Sequence, residues 1–172
     1  MLYVIMLWAT RLNVRLNGTA TAWLIRRFLD PQGDFLFLAP DQVSEVQRLR
    51  GAIGFDAPGA RYSDPDVDGR CSFERLVQER LSEDSALVRL ARIIHDADVR
   101  KSRDHPLLRL AALAYQAHPR PLASTAPEAP GLWAISQGFG DAGQDDLDVV
   151  NRAAFLYDSL YAHLRRVGEP RY

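Results

Sequence analysis

In "ARIIHDADVRK", residues 91–101, His95 and Asp98 stand three positions apart. On a helix that spacing puts an imidazole and a carboxylate on one face, close enough to share a ligand. A helical wheel places Leu87, Leu90, Ala91 and Ile94 in an apolar stripe, with Asp98 near its centre and His95 at its margin. Asp96 falls on the opposite face and is expected in solvent. A carboxylate turned inward needs a metal, an arginine, a backbone amide or the end of its own helix. The alternative is that the helix stops at Ala97 and Asp98 only caps a turn.

Two residues shortly before this stretch could add to the pair. Glu74, at the margin of the apolar face of "CSFERLVQERL", is either a third metal ligand or a first-turn acid that complements the helix dipole. Cys71 opens the same segment, where helix N–H groups favour a thiolate; the alternative is a small buried residue. The candidate metal set is therefore Glu74, His95 and Asp98, with Cys71 as a further member. Mixed carboxylate and imidazole donors suit Fe, Mn or Zn.

The segment "TATAWLIRRFLD" is apolar on nearly every side, yet it carries Arg26 and Arg27. A guanidinium held in or beside a core needs an anion. A structural pair of Arg26 with Asp30 at i, i+4 is expected and Arg27 is left open as an anion contact, and the candidate oxyanion-binding residues are Arg26 and Arg27. No nucleophile motif, phosphate-binding loop or dinucleotide fingerprint occurs, so no organic cofactor is expected and no reaction can be named. Tyr157 and Tyr161 read as core packing, and His105, His118 and His163 as surface residues.

The elements that must position these groups follow from periodicity. Apolar runs near 2–9, 34–39 and 53–56 read as strands of a small sheet. Between the first two lies a helix of three turns capped by Thr19 or Thr21 and ended at Asp30-Pro31. A second helix over 41–51 has Asp41 as its cap and Gly51 as its stop. Residues 60–70 read as loop, and helices dominate afterwards: one capped by Ser72, one over "DSALVRLARIIHDAD", one from Pro106, and a long final one after "LWAISQGFG". "SQGFGDAG" reads as a helix end and turn. Four prolines mark a loop at 119–131. The fold class is α+β, predominantly α-helical, with six or seven helices in a single domain over 1–172.

A chain of 172 residues that is 47% hydrophobic and 25% charged is long and apolar enough to bury a core. The net charge of −1 gives no general pull toward nucleic acid, and direct nucleic-acid binding is not expected. One cysteine cannot form an intramolecular disulfide. With no apolar run of membrane-spanning length, a cytoplasmic location without membrane association is expected. A homodimer is compatible with all of this.

Taken in order, "WLIRRFLDPQGDFLFLAPDQV", "GAIGFDAPGA", "CSFERL", "LARIIHDAD", "GLWAISQGF" and "YDSLYAHLRR" resemble the bacterial chromate-resistance protein family, whose domain also occurs at the C-terminus of chromate-sensing regulators. The matching positions are Trp23, Arg26, Arg27, Phe28, Asp30, Asp56, Cys71, Phe73, Glu74, Asp98, Tyr157 and Asp158. The resemblance implies a soluble accessory or sensor domain that responds to a metal or oxyanion. The chain departs from the pattern at Asn17, Gly18 and Thr21, where family members usually carry aspartate, arginine and cysteine. It also lacks a histidine in the loop before Cys71, and its segment 104–126 is longer. Two other readings stand beside this one: a regulatory or interaction module in which Arg27 and Asp98 belong to a structural salt-bridge network, and a metal-dependent oxidoreductase or hydrolase.

Overall fold

The computed structural model describes residues 6–63, 68–104 and 126–168. The helix expected from Pro106, the first part of the proline-rich loop, His105 and His118 lie outside them. Among the described residues the strands are β1 (Leu7–Arg11), β2 (Asp34–Leu38) and β3 (Ile53–Gly54). They form a parallel sheet in the order β2-β1-β3, with Trp8 opposite Phe35 and Ile53. Phe55 extends β3 by a single bridge to Tyr62. Parallel strands need crossovers, and α1 (Leu16–Leu24) and α2 (Gln42–Arg50) supply them.

Successive β1 side chains point to opposite faces, and this separates two cores. Ala9 packs with Val43 and Ala52 beneath α2. Trp8 joins the larger core with Trp23, Phe55, Phe73 and Leu90. Four further helices build that core: α3 (Ser72–Arg80), α4 (Ser85–Asp104), α5 (Ala129–Ala142) and α6 (Asp146–Gly168). The architecture is α+β and predominantly helical, as the periodicity predicts.

Several boundaries differ from the sequence expectation. The start of α1 is Leu16, with Arg15 at the cap position and no side-chain capping bond, so Thr19 and Thr21 lie inside the helix. A tertiary contact acts just ahead of that start: the Asp146 carboxylate accepts the N–H groups of Asn13 and Val14 at 3.0 and 2.8 Å. Asp41 occupies its cap position without a capping bond, while Gly51 ends α2 at φ +66°, where a glycine carries no steric cost. Cys71, rather than Ser72, is the N-cap of α3. Gly138 and Gly140 are inside α5 rather than in a turn, and the last part of the proline-rich segment is helical from Ala129.

The largest departure follows α1. Residues Ile25–Leu29 form a π-helical turn closed by the bond from Asp30 N–H to the Ile25 carbonyl at 2.7 Å. A π turn holds more residues than an α turn and rotates each side chain away from its α-wheel position. Arg26 and Arg27 fall in this turn.

Candidate metal centre

The α3 and α4 helices pack side by side and bring three donor groups together. Ligand atoms of Cys71, Glu74 and His95 lie within 4.8 Å of one another. Each has a local reason to be there. Cys71 is buried at the N-cap, Glu74 stands in the first turn of α3, and His95 meets them from the margin of the α4 stripe. The positive end of the α3 dipole favours a thiolate and a carboxylate at these two positions.

The Glu74 and His95 side chains are 23% and 22% exposed, so the cluster is reachable from solvent at its rim. His95 Nδ1 lies 3.0 Å from Glu74 Oε2, within ion-pair range. That oxygen is nevertheless buried and accepts no hydrogen bond of proper direction. Distance and direction disagree here, and the direction carries more weight for a buried acceptor. Such an oxygen is costly unless a cation completes it.

Asp98 is outside this group. Three residues carry it about 4.5 Å further along the helix axis than His95. The α4 helix continues through Ala97 to Asp104, so Asp98 is not a terminal cap; it is half-buried. Its charge reaches Tyr157, whose phenol is pushed above the ordinary range first by burial and also by Asp98, against a lowering bond from Thr19. Asp96 is not in solvent. It accepts the Ala126 N–H at 2.8 Å, because the chain leading into α5 covers that side of α4.

The arginines are engaged elsewhere. Arg26 donates to Asn151 Oδ1 at 2.7 Å and lies over the Phe35 ring at 4.8 Å. Its expected partner, Asp30, instead accepts the Trp8 indole N–H at 2.9 Å, because the π turn breaks the i, i+4 relation. Arg27 pairs with Asp158 at 3.3 Å, with side chains 62% and 48% exposed. It is a surface pair, not a buried link to Asp98. Tyr157 and Tyr161 pack on Trp23, in agreement with the core reading, and His163 is exposed.

A second polar cluster escaped the sequence reading. Arg11, at the carboxyl end of β1, donates through Nε to the Asp56 carbonyl at 2.8 Å and lies 3.3 Å from its carboxylate. Asn17 Nδ2 donates to Asp56 Oδ1 at 2.9 Å, and Asn17 Oδ1 accepts the Phe73 N–H at 3.2 Å and the Thr21 hydroxyl at 3.3 Å. Ser72 Oγ donates to the Tyr62 carbonyl at 2.7 Å and accepts the Asp56 N–H at 3.0 Å. Gly18 belongs here because a Cβ at that position would stand 2.7 Å from Asp56 Oδ2. In an open parallel sheet, the gap between the carboxyl ends of β1 and β3 is where a ligand crevice is expected. Here Arg11 and Asp56 occupy that end. The local sequence signal was Asp56 in "GFDAPG": aspartate is among the few residues that tolerate its left-handed φ of +48°.

The positions where this chain departs from the chromate-resistance pattern, Asn17, Gly18 and Thr21, all lie in or against this cluster. The comparisons with known proteins agree with the resemblance. The family model described as "ChrB, C-terminal domain" matches residues 8–107. Protein ChrB of Cupriavidus metallidurans (strain CH34) is 33% identical over 158 residues, covering 91% of this chain. The chain spans 40% of the length of that protein. No solved structure matches. A family match over more than half the chain, across the residues that hold α1, α3 and α4, places the chain in the ChrB C-terminal domain family of chromate-resistance proteins.

Proposed function

We propose that this chain is an accessory or sensor module in chromate resistance that holds a transition-metal ion between α3 and α4. The ligands are Cys71, Glu74 and His95. One observation supports the reading: a thiol, a carboxylate and an imidazole from two helices converge within 4.8 Å, and one oxygen of that carboxylate, Glu74 Oε2, is buried without a hydrogen bond. Ligand atoms about 2.0 to 2.3 Å from a zinc ion are closer together than this, so small side-chain rotations complete the site. A thiolate in the set favours zinc or ferrous iron over manganese. Three protein donors leave a four-coordinate ion one open position, which water or an oxygen of a tetrahedral oxyanion can fill. In this reading the metal, not Arg26 or Arg27, is the oxyanion contact.

Purification without chelators followed by elemental analysis tests the proposal. The wild-type chain is expected to carry close to one equivalent of zinc or iron, and Cys71→Ser or His95→Ala to lose it. Less than about a tenth of an equivalent in the wild type, unchanged by added Zn²⁺ or Fe²⁺, rejects a metal function coupled to folding. The 3.0 Å Glu74–His95 separation supports a second reading, an internal ion pair in a regulatory or interaction module. Under it no metal is retained, and Glu74→Gln lowers stability equally with and without chelator.

A further inference from the structure

We propose that Asn17 positions Cys71 for metal binding by capping α3 from another helix; this rests on the metal-site reading above. The N-cap of a helix ordinarily provides a side-chain oxygen for the N–H of the second or third helical residue. Cys71 holds that position with extended backbone, φ −77° and ψ 163°, and makes no capping bond. The N–H of Phe73, the second helical residue, instead donates to Asn17 Oδ1 at 3.2 Å, across 56 residues of sequence. Asn17 is 1% exposed and lies in α1.

The amide of Asn17 is fixed at both ends. Its carbonyl faces the α3 N-terminus, while its Nδ2 donates to Asp56 Oδ1 at 2.9 Å and, more distantly, to Ser72 Oγ at 3.4 Å. A carboxylate could accept from Phe73 but could not donate to Asp56, and leucine could do neither. Ser72 is held in turn by the Tyr62 carbonyl and the Asp56 N–H. Residues 72 and 73 are thus pinned through polar contacts that do not involve the Cys71 side chain. The Cys71 sulfur is released from the capping task and stands with Glu74 and His95. Asn17 is a positioning residue: it acts through the first turn of α3.

Cobalt(II) is the probe, because a cysteine ligand gives a thiolate-to-cobalt charge-transfer band that reports sulfur ligation directly. Asn17→Ala is expected to weaken Co²⁺ binding about tenfold or more and to diminish the band, as loss of an outer contact does at other metal sites. Tyr157→Phe is the control. It loosens α1 against α6 at the Thr19 hydroxyl without touching α3, and both band and affinity are expected to stay within about twofold, a difference of a few tenths of a kcal/mol. If Asn17→Ala does not fold, Thr21→Val removes only the hydroxyl that donates to the Asn17 carbonyl, with an expected loss of about threefold, the worth of one weak hydrogen bond. A second arm uses metal-free protein. In a Cys71→Ser background, where serine can cap the helix itself, Asn17→Ala is expected to lower the denaturation midpoint less than in the wild type.

Wild-type protein with no thiolate band overturns the metal reading and the positioning role with it. A wild-type band that persists at full strength in Asn17→Ala, or in Thr21→Val where that variant decides, overturns the positioning role alone. So does an equal loss in Tyr157→Phe, or a midpoint drop in the Cys71→Ser background as large as in the wild type.

Discussion

Two polar regions flank the start of α3, and they differ in how far they are closed from solvent and in the kinds of group they bring together. At the carboxyl ends of β1 and β3, the Asp56 carboxylate is fully buried and meets the Arg11 guanidinium, the Asn17 amide and the tight approach of Gly18. Between α3 and α4, the Glu74 and His95 side chains remain partly open to solvent beside the Cys71 thiol, and one Glu74 oxygen, like Asp56 Oδ2, is buried without a hydrogen bond. A fully buried carboxylate that meets a guanidinium and an amide holds a fold in one arrangement, whereas a thiol, a carboxylate and an imidazole that converge within reach of solvent invite a ligand. The first region is scaffold and the second is the proposed site, with the first turn of α3 as their common boundary.

That division can be broken by experiment. Asp56→Ala leaves the Arg11 guanidinium, 26% exposed, without its carboxylate and is expected to destabilise the protein by about 3 kcal/mol. Urea denaturation reads this as a lower midpoint at unchanged slope, and a loss below about 1 kcal/mol would mean the network is not scaffold. Nearly as large an effect is expected from the other region on adding ligand. Zinc at a hundredfold excess over its dissociation constant should stabilise the wild type by about 2.7 kcal/mol. The same addition should leave Cys71→Ser unmoved; an equal shift in that variant would place the metal elsewhere.

Gly18→Ala sharpens the packing argument. Alanine is the better helix former by about 1 kcal/mol. Its Cβ would nevertheless collide with the Asp56 carboxylate, and a net loss of about 1 to 2 kcal/mol is expected. A gain in thermal midpoint would show that Asp56 moves aside freely. Tyr157→Phe removes a buried hydroxyl that donates to the Leu16 carbonyl at 3.1 Å, with an expected cost of about 1 kcal/mol near neutral pH. Because the folded phenol titrates above the ordinary value of 10.0, the folded state binds its proton more tightly than the unfolded state. Stability must then fall as pH rises above that value, and a Tyr157→Phe protein should fall less steeply in alkaline denaturation. Arg27→Ala should be nearly silent, within about 0.5 kcal/mol, since its pair with Asp158 is solvent-screened. A larger loss would mean Arg27 belongs to the scaffold after all.

What could be read from the sequence divides along the same boundary. Local patterns revealed the β2 strand, the Gly51 stop, the apolar face of α3 and the inward setting of His95, all of which depend on neighbours within a few residues. They also brought Glu74 and Cys71 into consideration. They could not reveal that Asn17, Gly18 and Asp56 meet, because those contacts bridge about 40 residues and Asn17-Gly18 has the look of a turn while lying inside a buried helix. The wheel failed for Arg26 and Arg27 for a different reason. It presumes α geometry, and the π turn at Ile25–Leu29 violates that presumption without any glycine or proline to announce it.

The contact between Asp146 and the N–H groups of Asn13 and Val14 bears on the order in which the chain can fold as it is made. Its partners are separated by 132 residues, and Tyr157 and Asp158 of the same late helix complete the surroundings of Thr19 and Trp23. At ribosomal speeds of about 5 to 20 residues per second, the first helix waits roughly 7 to 26 seconds for these groups to be synthesised. During that interval a very apolar segment has no completed core to enter. A nascent chain stalled before Asp146 should therefore be the form most readily bound by a chaperone and most readily cut by a protease.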